Sequence, residues 1–201
     1  MSCSNTTPSG VASQATVVAP AIAVAAPAAA PAMPRINEPA PAFSAKTTHG
    51  DRRLADYKGK WLVLFSHPAD FTPVCTTEFI GFANASAEFK AINCELLGLS
   101  IDSIYSHLAW VQNIKEKFGV EITFPIIEDL SMKVATAYGM IHPGASDTSA
   151  VRATFIIDDK GILRAMIYYP MTNGPSVPEV LRLVRALQTS LTHGVATPEA
   201  W

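Results

Sequence analysis

Trp61-Leu62-Val63-Leu64-Phe65-Ser66 leads directly into His67-Pro68-Ala69-Asp70-Phe71-Thr72-Pro73-Val74-Cys75-Thr76-Thr77-Glu78-Phe79. The first part is a short, nearly continuous apolar run, the pattern of a strand buried on both faces. The polar, proline-containing loop that follows opens a helical stretch from about Cys75 to Ala91, with Phe79, Phe82, Ala83 and Phe89 at helical spacing. A buried strand feeding a helix through a short loop is the opening of an α/β crossover, and the rest of the chain extends it.

Leu96 to Ile101 reads as the next strand, after which Asp102 or Ser103 can cap a helix whose Ile104, Leu108, Val111 and Phe118 share one face. Phe124-Pro125-Ile126-Ile127 is a short strand, and a short helix after Asp129 stops near Gly139. Thr154 to Ile157 turns through Asp158-Asp159-Lys160-Gly161 into Ile162 to Tyr169, which predicts a hairpin. Ser176-Val177-Pro178-Glu179 matches a capping box with proline in the first turn of a last helix, which carries Val180, Leu183, Val184, Leu187 and Leu191 on one side. The order β-α-β-α-β-α-ββ-α predicts an α/β domain with a mixed central sheet flanked by helices, for which a thioredoxin-like fold is the natural candidate.

The chain has 201 residues, 49% hydrophobic and 16% charged, with a formal net charge of −2. That is enough for one folded domain, and no basic block marks nucleic acid or a membrane surface as a partner. Cys3, Cys75 and Cys94 are an odd number of thiols at wide spacing with no CxxC pair. This excludes a disulfide framework and a thioredoxin-type electron carrier, and suits a reducing, cytoplasmic compartment. His49, His67, His107, His142 and His193 lie scattered without ligand spacing, so no metal and no cofactor is expected. Residues 1–34 contain no charged side chain and are rich in Ala and Pro. They read as a disordered tail before a domain spanning 35–201. A secretory signal needs a positive charge before the apolar stretch, whereas the first basic residue is Arg35, and Pro20, Pro27 and Pro31 break up any membrane span.

Chemistry concentrates on the loop before the first long helix. With the helix starting near Pro73, Cys75 falls in the first turn, where unpaired backbone N–H groups and the helix dipole favour a thiolate. The competing reading is a small buried hydrophobe. Thr72 likewise has two readings, an N-cap followed by proline or a hydroxyl aimed at a substrate. Ionisation alone is a weak lever: moving a thiol from an ordinary pKa of about 8.5 to about 6 gains some thirtyfold in thiolate, of which lower nucleophilicity returns roughly tenfold. Hydrogen-bond donors aimed at the charge that develops as a thiolate reacts must supply the larger effect.

Pro68, Thr72 and Cys75 spell P-x3-T-x2-C, and on this motif the chain resembles the peroxiredoxins, in particular the one-cysteine, peroxiredoxin-6-type subfamily. The resemblance extends from about Pro41 to Trp201 through Gly98-Leu99-Ser100-Ile101-Asp102-Ser103, His107-Leu108-Ala109-Trp110, Phe124 to Ile127, Val151-Arg152-Ala153-Thr154-Phe155-Ile156-Ile157-Asp158 and Val195 to Trp201. It implies a thiol peroxidase that reduces hydrogen peroxide and alkyl hydroperoxides through a sulfenic acid on Cys75. Thr72 and Arg152 resemble the polar partners of that cysteine, and Pro68 the residue that shields it. His67, Val74 and Glu78 match positions at the pocket, with Glu78 expected to orient the arginine. No Val-Cys-Pro resolving segment is present, and Cys94 reads as structural. The expectation is therefore recycling by an external thiol or reductant such as glutathione, a thioredoxin-like protein or ascorbate. Longer relatives continue past the segment ending at Trp201, so an arm is expected to be absent or truncated. Pro175 stands where relatives carry a second arginine. Resemblance also implies a homodimer joined through the Ile162 to Tyr169 edge, with a decamer as the larger assembly.

Two other classes compete. A holdase chaperone or peroxide sensor would use the same fold with little turnover. A Cys75–His67 hydrolase lacks an Asn or Asp orienter at recognisable spacing and leaves Thr72 and Arg152 without a role.

Overall fold

The computed structural model describes residues 1–2, 33–146 and 148–201. The tail reading and Cys3 fall mainly on residues 3–32, outside the described residues. Two short strands, β1 (Ser44–Ala45) and β2 (Arg52–Arg53), pair antiparallel ahead of a 3₁₀ turn at Leu54–Tyr57. There follow β3 (Trp61–Ser66), α1 (Pro73–Ala91), β4 (Cys94–Ser100), α2 (Ile104–Phe118), β5 (Ile126–Glu128), α3 (Lys133–Ala137), β6 (Arg152–Ile157), β7 (Leu163–Tyr169) and α4 (Val177–His193). The described residues from Met33 onward belong to one compact unit.

β3 to β7 make a single mixed sheet in the order β5-β4-β3-β6-β7, parallel across β3, β4 and β5 and antiparallel across β3, β6 and β7. β3 is central and buried along its whole length. Its alternation divides the core: Trp61, Val63 and Phe65 pack with α1, α4 and Trp110 and Ile114 of α2, while Leu62 and Leu64 pack with Phe43, Tyr57, Val134 and Tyr138. The predicted strand–helix alternation and hairpin are therefore present.

Three local expectations need correction. α2 turns His107, Trp110 and Ile114 inward and leaves Leu108 and Phe118 exposed. Counting aliphatic residues misplaced that face because the buried His107 and Trp110 each have a hydrogen-bond partner, which makes their burial tolerable. Ser176 occupies the N-cap of α4 without capping, since Glu179 binds Arg182 through two short hydrogen bonds instead. β5 starts at Ile126, two residues later than read. Of the two candidates for capping α2, Ser103 caps, accepting from Ser106 N–H, while Asp102 accepts from Ser100 and Asp70.

The sheet explains why one edge gathers functional groups. Ser66, the last residue of β3, lies beside Leu99 of β4 and Ala153 of β6. The loop to α1 thus leaves the sheet where antiparallel β6 begins, at Arg152. Ser66 Oγ donates to Val151 O at 2.6 Å and accepts from Ala153 N, so a buried hydroxyl fixes the entry to β6.

Gly98 keeps this edge and α1 at their spacing. A Cβ there would lie 2.9 Å from Phe79 Cζ, and the Phe79 ring is itself packed against Phe65, His67, Trp110 and Phe124. Gly98→Ala is expected to cost about 1–3 kcal/mol from overpacking, read by urea unfolding. An unchanged midpoint would show that the ring moves freely.

Candidate active site

Chain geometry places Cys75 at the mouth of α1. Phe71 takes a left-handed conformation, φ 58°, immediately before the N-cap Thr72, a strained arrangement for a bulky residue. Pro73 is the first helical residue, so Val74 and Cys75 follow in the first turn, and no side chain caps their N–H groups. Cys75 is fully buried.

Thr72 departs from the capping reading. Its hydroxyl does not cap the helix but donates backwards to Ala69 O at 3.0 Å. That leaves the oxygen lone pairs, rather than the hydrogen, open to another group. The Thr72 carbonyl meanwhile accepts from Thr76 N–H and from the Thr76 hydroxyl. Pro68 is buried at the start of the loop, and Val74 lies under the loop after β7, where a Cβ on Gly174 would come within 3.3 Å of it.

Arg152 joins Cys75 to Glu78 and to the loop after β7. From the first position of β6, Nη2 donates to Cys75 Sγ at 3.2 Å, Nη1 to Glu78 Oε2 at 2.7 Å, and Nε to Met171 O at 2.8 Å. The planar guanidinium thus has a fixed orientation before any ligand arrives. Glu78 lies one helical turn beyond Cys75, so the sulfur and carboxylate stand on the same face of α1 and meet one cation. Burial pushes the Glu78 carboxyl up to about 7, against the opposing pull of the Arg152 charge and its hydrogen bond. Among the described residues Arg152 is the one cation paired with Glu78, in keeping with proline at 175.

Of the residues singled out in the sequence, the structure joins Cys75, Arg152 and Glu78 by hydrogen bonds and places Pro68, Thr72 and Val74 on the loop and first turn that lead to Cys75; sequence reasoning missed three features. The Met171 carbonyl carries no side-chain signal. Ser66 looked like the last residue of an apolar strand. The histidines read as scattered are partly gathered: His67, Asp70 and His107 bring ligand-type atoms within 4.8 Å of one another. His67 is fully buried, its ring against Phe79 and Trp110, and Nε2 lies 2.8 Å from Asp70 Oδ1. Regular H-x3-H spacing could not have shown this, because His107 arrives from another helix.

Cys94 sits at the other end of the sheet, where the register sets it beside Trp61. About 17 Å of strand separates Trp61 from Ser66, whereas a disulfide needs Cα atoms within about 7 Å. Burial, aided by the Glu95 charge, pushes the Cys94 thiol up to about 12, which keeps it protonated and inert.

The Glu78 environment has a measurable consequence for stability. Its raised pKa lets the folded protein hold a proton that the unfolded chain releases above about 4.5, so this group's contribution to stability falls as pH rises from about 4.5 to about 7. The unfolding free energy of the parent, compared with Glu78→Gln, is expected to decline across that window. Parallel pH profiles for the two would contradict the assignment.

Comparison with known proteins places the chain in a family. The model of the AhpC/TSA family matches residues 36–166. A peroxiredoxin of Aquifex aeolicus is 65% identical over 170 residues, covering 84% of this chain and 77% of its own length. Peroxiredoxin 2 of Caldanaerobacter subterraneus is 56% identical over 169 residues, with 84% and 76% covered. Among solved structures, a yeast mitochondrial 1-Cys peroxiredoxin superposes with a TM-score of 0.78 at 44% identity, covering 84% of this chain and 83% of that one. A cysteine-to-serine mutant of peroxiredoxin 6 from Arenicola marina gives a TM-score of 0.78 at 36% identity, with 83% and 79% covered. The fold is thus the thioredoxin-like fold of these proteins. Agreement at this level, over most of both chains, means that this chain belongs to the AhpC/TSA family: it is a peroxiredoxin, an oxidoreductase that reduces a peroxide at the expense of a thiol.

Proposed function

We propose that Cys75 is the peroxidatic cysteine and that Arg152, Thr72 and the α1 amides act on the peroxide it attacks. The observation that carries this reading is the 3.2 Å contact from Arg152 Nη2 to the buried Cys75 Sγ in the first turn of α1. The Cys75 thiolate attacks the terminal oxygen of a hydroperoxide and the O–O bond breaks. Sulfur is oxidised to sulfenic acid, and the leaving oxygen, reduced to water or an alcohol, takes up a proton.

Arg152 and the N–H groups of Val74 and Cys75 are donors for the charge that grows on oxygen during this displacement. Thr72, with its hydrogen committed to Ala69, offers lone pairs to the O–H of the incoming peroxide. Glu78 and the Met171 carbonyl hold Arg152 in place, and Pro68 and Val74 wall the pocket. The non-catalytic alternative, a sensor or holdase, is not favoured, because the relatives are named for a peroxidase.

The reductant is an external thiol, with glutathione or a thioredoxin-like protein preferred to ascorbate. The yeast 1-Cys relative is described as resolved through glutathione/thioredoxin systems, and the burial and placement of Cys94 argue against an internal partner. The free Cys75 and Cys94 support a reducing compartment such as the cytoplasm, and no helix among the described residues is long and apolar enough to cross a membrane. β7 lies at the sheet edge with half-buried residues along it, which supports a homodimer through that strand and leaves a decamer as a further assembly.

Arg152→Ala is expected to lower the peroxide rate constant by about 10²- to 10³-fold, the effect of removing a donor to developing charge, even at a pH where the thiol is fully ionised. Thr72→Val is expected to lower it while Thr72→Ser retains most of it. Stopped-flow peroxide consumption measures both. Equal rates for parent and Arg152→Ala at high pH would reduce the arginine to an ionisation aid.

A further inference from the structure

Thr72 follows a strained residue and is held at both of its polar ends. Phe71 has φ 58°, a conformation that a bulky side chain keeps only where its surroundings over-determine the chain. Thr72 itself is extended, at φ −93° and ψ 149°. Towards the loop, its hydroxyl donates to Ala69 O. Towards the helix, its carbonyl accepts twice from one residue, from Thr76 N–H at 3.0 Å and from the Thr76 hydroxyl at 2.8 Å. The first of these is the ordinary opening bond of a helix, and the second is an addition to it.

Thr76 has one hydroxyl hydrogen, and Thr72 O takes it. The oxygen lone pairs then accept from the indole N–H of Trp110, 3.3 Å away. Trp110 is 1% exposed, with its ring packed against His67 and Phe79. Among the described residues this is the one hydrogen bond between α1 and α2, and it lands on the residue directly after Cys75. Thr77 supplies the contrast. Its hydroxyl also turns back, to Val74 O at 2.9 Å, but the side chain is exposed and no group among the described residues donates to it.

We propose that Trp110 and Thr76 are positioning residues for Thr72. The indole N–H, the Thr76 hydroxyl and the Thr72 carbonyl form a directed chain of hydrogen bonds that ties the N-cap of α1 to α2. This chain holds the Thr72 hydroxyl oxygen where the O–H of a peroxide meets it, a role that rests on the reading of Cys75 and Thr72 given above. An N–H on one side of the Thr76 oxygen leaves its hydrogen to the carbonyl on the other, so Trp110 sets the direction and Thr76 fixes the Thr72 peptide against relaxation at Phe71. Both residues act through Thr72, and neither acts on the sulfur or the peroxide.

Stopped-flow peroxide consumption and alkylation of Cys75 by iodoacetamide, measured side by side on the full chain, separate positioning from general damage, since iodoacetamide brings no hydroperoxide O–H to Thr72. Thr76→Val is expected to lower the peroxide rate constant by about 10²-fold, the scale of a small misplacement of a reacting group. Alkylation and its pH dependence should stay as in the parent. Trp110→Phe is expected to lower the peroxide rate constant about tenfold, the scale of one hydrogen bond, whereas Thr76→Ser and Thr77→Val keep the parent rate. On a Thr72→Val background, Thr76→Val should add little. A parent-like rate in Thr76→Val, an equal fall in Thr77→Val, alkylation that falls in step with peroxide reduction, or an undiminished effect on the Thr72→Val background would each overturn the proposal. Should Thr76→Val fail to fold, Trp110→Phe in the same two assays decides. The bond itself has a separate readout. The Trp110 indole 1H–15N resonance, assigned with Trp110→Phe, is expected to move in Thr76→Val and stay in place in Thr77→Val, and an unmoved resonance in Thr76→Val would also overturn the proposal. Absence of oxidation at Cys75 in the parent would instead defeat the catalytic reading, with the indole shift still reporting the bond.

Discussion

Arg152 sits with its side chain almost wholly out of water, held by one carboxylate, one backbone carbonyl and one sulfur. A guanidinium cannot shed its charge inside a protein, so burying it is tolerable only where acceptors are already in place. Glu78 one turn along α1, Met171 in the loop after β7 and the start of β6 are therefore bound to a common geometry. Removing the carboxylate leaves a buried, partly unmatched cation, a change that typically costs about 3–5 kcal/mol. The same constraint that stabilises the edge of the sheet also brings a positive charge to the sulfur.

Catalysis then follows from where negative charge appears. On the proposed reading, Arg152 and the mouth of α1 face the Cys75 sulfur before the reaction begins. As the O–O bond breaks, charge moves onto oxygen, and donors fixed in a buried pocket stabilise it without reorganising. Ionisation alone yields only about threefold in rate once the loss of nucleophilicity is included. On that reading preorganised donors are the larger contribution, and the hydrogen bonds that hold Arg152 run to Glu78 and Met171 O, with the Ser66 hydroxyl anchoring the entry to β6.

Much of this was legible in the residues. Trp61 to Ser66 reads as a doubly buried strand because nothing polar interrupts it before Ser66, and the alternation of strand and helix after it determines the α/β class. Cys75 stands out because Pro73 marks a helix start. What escaped detection depends on tertiary context. Aliphatic counting assigned Leu108 and Phe118 to the core of α2, whereas His107 and Trp110 take those places because Asp70, Ile127 O and Thr76 satisfy their polar atoms. Thr72 and Ser176 both occupy N-caps without capping, since each local preference lost to a nearer partner for the side chain or its neighbour. Main-chain acceptors such as Met171 O leave no trace in a residue pattern.

The central claim is that one sulfur, Cys75, carries the peroxide chemistry. Intact-mass analysis of the reduced chain after one equivalent of hydrogen peroxide, with peptide mapping, addresses it most directly. The account predicts a single added oxygen on Cys75, removed by an external thiol, and no addition in Cys75→Ser. Oxygen mapped to Cys94 or Cys3 with Cys75 untouched would contradict it.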